Sequence, residues 1–176
     1  VSLNQNTTLS TGNGTITLGG TVNGANSLAI NTTGTTNLNG AIGANTPLTS
    51  LTTNSGGTTN INGQTVKTSG FQSYGDNVSL GADTTLTSTS GGNISFNGTV
   101  NGAQALTVNT SGTSTFSGIV GGGTALTSLT TNSGGTTAIN GGSVTATGNQ
   151  SYGDNVTIGA ITTLTTTSGG NLSFAG

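Results

Sequence analysis

Along Thr84–Gly102 the apolar residues recur at every second position of short runs. Leu86 stands between Thr85 and Thr87, and Ile94 and Phe96 alternate with Asn93, Ser95 and Asn97. A period of two puts Ile94 and Phe96 on one face of a strand and their polar neighbours on the other. Val100, Leu106 and Val108 continue the pattern. Leu9, Ile16, Leu18, Val22, Leu28 and Ile30 carry it earlier in the chain. Asn-Gly and Ser-Gly-Gly separate the runs, and such residues tolerate the positive φ of a sharp turn. The filling residues, Gly, Thr, Ser and Asn, are poor in helix interiors. The pattern predicts an all-β chain of short strands.

The strands belong to a repeat. "SYGDNV" starts at Ser73 and again at Ser151, an offset of 78. "LTSLTTNSGGTT" occupies Leu48–Thr59 and Leu126–Thr137, and "GTVNGA" occupies Gly20–Ala25 and Gly98–Ala103, at the same offset. The copies run approximately 1–77 and 78–155, with a partial copy at 156–176. Within each, runs close on glycines at Gly20, Gly40, Gly63, Gly98, Gly118, Gly141 and Gly176, spaced 20, 23, 35, 20, 23 and 35. The long interval fits two shorter steps, so four steps make one unit. A step of ~20 residues is the length of one coil of a parallel β-solenoid. The expectation is a single solenoid segment over 1–176, about nine coils long, with a 78-residue superrepeat of four coils. At ~4.8 Å per coil it would be a rod of roughly 40 Å.

The expected core ladder is Leu86, Ile94, Phe96, Val100, Leu106, Val108, Phe116, Leu126, Leu129, Ile139, Val156, Ile158, Leu164, Leu172 and Phe174. Leu48 and Leu51 join it in the first copy, with Ser-Gly-Gly as the turn into the next strand. Asp76, Asp154, Gly98, Gly118 and Gly141 are expected at turns.

Composition removes many functions. Charged residues make up 2% of the chain, against ~25% in an average domain. They are Lys67, Asp76, Asp83 and Asp154; Glu, Arg, His, Cys, Met and Trp are absent. One lysine cannot neutralise a run of phosphates or an anionic bilayer, so neither nucleic acid nor a charged membrane is an expected partner. No apolar run reaches the ~20 residues of a spanning helix, so no membrane insertion is expected of this segment. Without cysteine there is no disulfide scaffold and no thiolate metal site. Disorder usually combines low hydrophobicity with high net charge. Here hydrophobic residues are 28%, regularly placed, and the net charge is −2. No signal peptide is visible and the first residue is Val1, which reads as a piece of a longer array.

The candidate chemistry is sparse. Asp76 and Asp154 share the context "YGDN". One unit apart, they are expected about four coils, roughly 19 Å, from each other, too far to act on one atom. The expectation is a local turn role, each carboxylate accepting backbone N–H bonds as in an Asx-turn. Asp83 aligns with Asn6 and Ile161, which suggests no role common to the copies. The "GGxGxD" repeat of calcium β-rolls is missing, so no metal or other cofactor is expected. Tyr74 and Tyr152 are expected as partly buried or rim aromatics, and Phe71, which aligns with Asn149, as exposed. Asn-x-Ser/Thr sequons at Asn31, Asn77, Asn93, Asn109 and Asn155 follow from composition and argue little for glycosylation. Three scattered aspartates and one lysine do not make the clustered site of a polysaccharide-cleaving β-helix, so no enzyme is expected. Thr85-Leu86-Thr87 and Thr163-Leu164-Thr165 have the Thr-x-Thr form of ice-binding solenoids, in an irregular array.

The ~20-residue coils, their runs closing on Phe-x-Gly at Phe96–Gly98 and Phe116–Gly118, and the long superrepeat resemble the repeat regions of filamentous-haemagglutinin-like and autotransporter-like bacterial surface proteins. The resemblance covers essentially the whole chain. It implies a right-handed parallel β-helix, secreted through the outer membrane, that forms a stalk or adhesive fibre. The expected function is a structural rod segment of an extracellular or cell-surface adhesin. A filament or matrix protein stacked end to end is the alternative, and an ice-binding solenoid a minor one. Expected partners are identical subunits or further repeats at the two solenoid ends, and glycans or a neighbouring cell surface.

Overall fold

Each run of alternating residues forms a strand of two to five residues, and each strand pairs in parallel with one a full coil away. The computed structural model describes residues 1–176. It contains strands and turns and no helix. The coils stack into three faces. Face I is an eight-stranded sheet running from Thr7–Ser10 to Asn155–Ile158. Face II combines a five-stranded sheet, Ile16–Leu18 to Val100–Asn101, with the pair Ser143–Ala146 and Thr163–Thr166. Single bridges Val100↔Val120↔Val144 connect these two parts. Face III is a six-stranded sheet from Thr65–Thr68 to Leu172–Phe174. The architecture is a parallel β-solenoid.

The register gives the coil length. On face I the stacked partners are Thr7, Leu28, Leu51, Gln72, Ile94, Ser114, Thr137 and Val156, which lie 19 to 23 residues apart. There are therefore eight coils rather than nine. The superrepeat also differs from four coils. Gln72 lies on face I, but its equivalent Gln150 lies on face III, stacked on Leu129. Seventy-eight residues thus span three coils and two faces of the next. The reason is the connections a three-sided coil needs. Ala41–Pro47 carries the chain around between Val22-stacked Ile42 and Leu48, for example, and lengthens that coil. Each unit consequently begins one face away from the unit before it.

The interior is a continuous apolar column. Leu48, Leu51, Leu86, Ile94, Phe96, Val100, Leu106, Val108, Phe116, Leu126, Leu129 and Ile139 are buried. The ladder positions of the last coil are not. Val156 and Leu164 are half-buried, and Ile158, Leu172 and Phe174 are 53%, 43% and 52% exposed. They point inward but no coil lies above them. Exposure here reflects position in the stack, not the wrong face.

Rings stack where the coil-to-coil register aligns them. Tyr74, Phe96 and Phe116 are successive partners on face I, with centroids 5.3 Å and 5.1 Å apart. Tyr152 and Phe174 repeat the arrangement on face III at 5.2 Å. Gly98, Gly118 and Gly141 form a column at the corner between faces I and II, directly over Asp76. A methyl on any of them would run into the backbone of the coil beneath. Gly56 and Gly134 turn the chain in the two Ser-Gly-Gly segments at φ of 104° and 103°, which a side chain would resist.

Replacing Phe96 by Ala removes the middle ring of the stack. The expected loss is ~3–5 kcal/mol, read from the midpoint of urea unfolding. Phe71→Ala, at a half-exposed ring, serves as the control and should leave the midpoint almost unchanged.

Candidate functional site

The side chains that carry charge or ring hydroxyls are mostly turned inward. Asp76 sits at the bend between Gln72–Tyr74 and Asn77–Leu80. Its carboxylate is buried and accepts bonds from Gly57 N (2.8 Å) and Thr59 Oγ1 (2.9 Å). Asp154 does the same with Gly135 N (2.8 Å) and Thr137 Oγ1 (3.3 Å). The turn position matches the expectation, but the local Asx-turn does not. The donors belong to the coil below, 19 and 17 residues back. A corner in a stacked coil meets its neighbour's backbone more readily than its own. The two aspartates occupy different corners, three coils and two faces apart, rather than one corner four coils on.

Asp83 shares a role with Asn6, though not with Ile161 of the partial copy. Its Oδ1 accepts Ala105 N at 2.8 Å, and Asn6 Oδ1 accepts Ser27 N at 3.0 Å in the first copy. Asn and Asp both offer that acceptor, so the substitution keeps the clamp. Other asparagines stitch coils in the same way. Asn23 accepts from Asn45 N and Thr46 N, and Asn101 from Gly123 N and Thr124 N. Asn77 and Asn93, both in sequons, have Oδ1 engaged by Thr99 N and Thr113 N, each at 2.9 Å.

Tyr74 and Tyr152 are fully buried rather than at the rim. Each phenol donates to a glutamine two residues earlier, Gln72 Oε1 (2.9 Å) and Gln150 Oε1 (2.8 Å). Gln72 Nε2 crosses the interior to Thr87 O (3.0 Å) and Val66 O (3.3 Å) on face III. Gln150 Nε2 crosses to Thr165 O (2.7 Å) and Val144 O (3.3 Å) on face II. The hydroxyl needs a partner once buried, and the adjacent glutamine supplies it. The Gln-Ser-Tyr run is therefore an internal strut between two faces. The alternation that put Phe96 inside also marks Gln72 and Tyr74 as inward, so this signal was present in the sequence.

Much of the outside is hydroxylic. Thr65, Thr85, Thr107, Thr130, Ser151 and Ser173 form one outward column on face III. Thr87 stacks between Lys67 and Asn109, so the Thr-x-Thr form of its strand is not repeated on the flanking coils. No pocket opens on the surface, and no group of three or more acidic, histidine or cysteine side chains converges. No family model matches the chain, nor does any curated protein or solved structure.

Burial raises both phenol pKa values above the ordinary 10.0. A phenol whose pKa is raised on folding favours the folded state below its unfolded pKa. That contribution is lost as pH climbs from ~10 toward the folded value. Absorbance titration should show no tyrosinate in the native rod at pH 11, then its appearance together with loss of the β circular-dichroism signal. Tyrosinate forming with the β signal intact would contradict the buried strut. Asp76→Ala strands Gly57 N–H and should cost ~1–3 kcal/mol, whereas Asp83→Asn should leave the urea midpoint in place.

Proposed function

We propose that this chain is a structural rod segment of a secreted or cell-surface bacterial adhesin or fibre, of the filamentous-haemagglutinin-like kind, and that its work is mechanical. The observation that carries the reading is the three-faced parallel stack. Each coil rests on the one before, so added residues lengthen the rod and leave its width unchanged. Such a shaft holds other domains away from the cell. Its nearly uncharged surface of hydroxyls and amides suits contact with glycans, with a neighbouring cell surface or with identical chains.

A second reading is a self-assembling extracellular filament. Ile158, Leu172 and Phe174 of the last coil are exposed, and either reading supplies a cover for them. An uncovered coil presents open strand edges and apolar side chains that another coil can pair with and cover. Under the first reading further repeats take that place, and under the second a separate chain does.

Chains built from two, three and four 78-residue units separate these possibilities. Small-angle scattering should show each unit adding roughly 18 Å of length, three and two-thirds coils at the usual spacing, at constant cross-section. Growth in width would overturn the rod. Sedimentation then decides between shaft and filament, since only the filament gives concentration-dependent end-to-end species. Antibodies against the chain should label intact producing cells, and label confined to permeabilised cells would overturn the surface location.

A further inference from the structure

The duplicated "LTTNSGGTT" places two threonines on the inside of the rod. Thr53 ends its strand two residues after buried Leu51 and stacks between Ile30 and Tyr74. Thr59 stacks between Thr36 and Val78 on face II. The two columns meet within the corner between faces I and II, and Asp76 reaches down into it from the coil above to take the Thr59 hydroxyl proton. The second copy repeats the set one face around the rod. There Thr137 shares a hydrogen bond with Thr131 Oγ1 (3.0 Å) and lies 3.3 Å from Asp154 Oδ2.

One atom in each set is unaccounted for. Thr36 Oγ1 and Ser114 Oγ are the two buried side-chain polar atoms that lack a hydrogen-bond partner. They stand 78 residues apart, at the same position of the two copies, and both residues are 0% exposed. An orphaned buried hydroxyl costs ~1–3 kcal/mol, and the cost recurs with the unit. Thr36 stacks directly beneath Thr59, and Ser114 beneath Thr137. Stacked positions are ~4.8 Å apart, too far for a direct hydrogen bond. One molecule making two bonds of ~2.8 Å would span that separation. Thr59 gives its only proton to Asp76, so its lone pairs remain free to accept.

We propose that each copy of the unit holds one ordered water in this corner, bridging Thr36 to Thr59 in the first copy and Ser114 to Thr137 in the second. The water accepts the orphan proton and donates to the upper threonine, with the aspartate carboxylate as the end of the chain. Two to four polar partners are what a buried water requires. A divalent hard cation takes six to eight oxygens, whereas each corner offers one carboxylate, already engaged by two donors, and a few hydroxyls. The spacing of Thr36, Thr59 and Asp76, repeated at Ser114, Thr137 and Asp154, is thereby a water-binding device inside the rod.

Thr36→Val and Ser114→Ala remove the hydroxyls with little change of shape, and Thr36→Ser keeps one. If the water bridges, both hydroxyl-removing variants lower the urea midpoint and Thr36→Ser largely restores it. A crystal structure of the unaltered chain then shows a density peak ~2.8 Å from Thr36 Oγ1 and Thr59 Oγ1, and another at Ser114 and Thr137. A raised or unchanged midpoint in Thr36→Val would overturn the proposal, because removing a true orphan relieves its cost. So would the absence of either peak. A peak at ~2.4 Å, with stability rising on addition of Ca2+, would overturn it in favour of a cation.

Discussion

Each coil is hydrogen-bonded through its backbone to the coil below, in parallel and in register, and almost every other feature of the rod follows from that. Side chains at equivalent points lie one strand spacing apart, so each must tolerate the residue above and below it. Aliphatic residues do so by packing, and Tyr74, Phe96 and Phe116 by stacking their rings. Corners where backbones come closest accept only glycine, as at Gly98, Gly118 and Gly141. Elsewhere the corners use asparagine or aspartate, whose short side chains reach the N–H of an adjacent coil. Charge is scarce for a related reason. A charged column would set like beside like at every coil, with no intervening solvent on the inside.

Much of the fold was legible because alternation and repetition are local signals. The strand period, the glycine-closed runs and the offset of 78 led to a parallel solenoid and to its core, including Ile94, Phe96, Leu126 and Leu129. The number of residues per coil was harder to read. Closing glycines mark corners, and a three-sided coil has several, so equal glycine spacing does not mean equal angle. Gly20, Gly40 and Gly63 follow face II strands, while Gly98, Gly118 and Gly141 follow face I strands. Identical motifs therefore occupy different faces, and the unit falls a third of a turn short of four coils.

The buried polar groups were less legible, for a different reason. Threonine is at home on either side of a strand, so Thr53 and Thr59 carry no preference of their own. Their inward placement follows only from counting two residues on from Leu51 and two back from Ile61. Tyrosine and aspartate suggest an exterior by type, yet Tyr74 and Asp76 are enclosed because Gln72, Gly57 and Thr59 meet their hydrogen bonds. Asp83 looked incidental because its equivalents differ in charge. What Asp83 and Asn6 share is one acceptor oxygen, which Ile161 lacks. At Gln64 the backbone holds φ at 64°, where the second copy has Gly142 at 76°, so even the strained turn is retained while the residue changes.

The missing third of a turn sets how the rod would meet a flat partner. A group fixed at one place in the unit moves to an adjacent side with each repeat and regains its first side after three, that is, after eleven coils or roughly 53 Å. Repeated along a fibre, the unit winds its surface chemistry into a slow spiral. No side collects all the copies of any one residue. A planar surface would touch each kind of contact once per full winding, while several partners arranged around the fibre would each find the same contacts at the same interval.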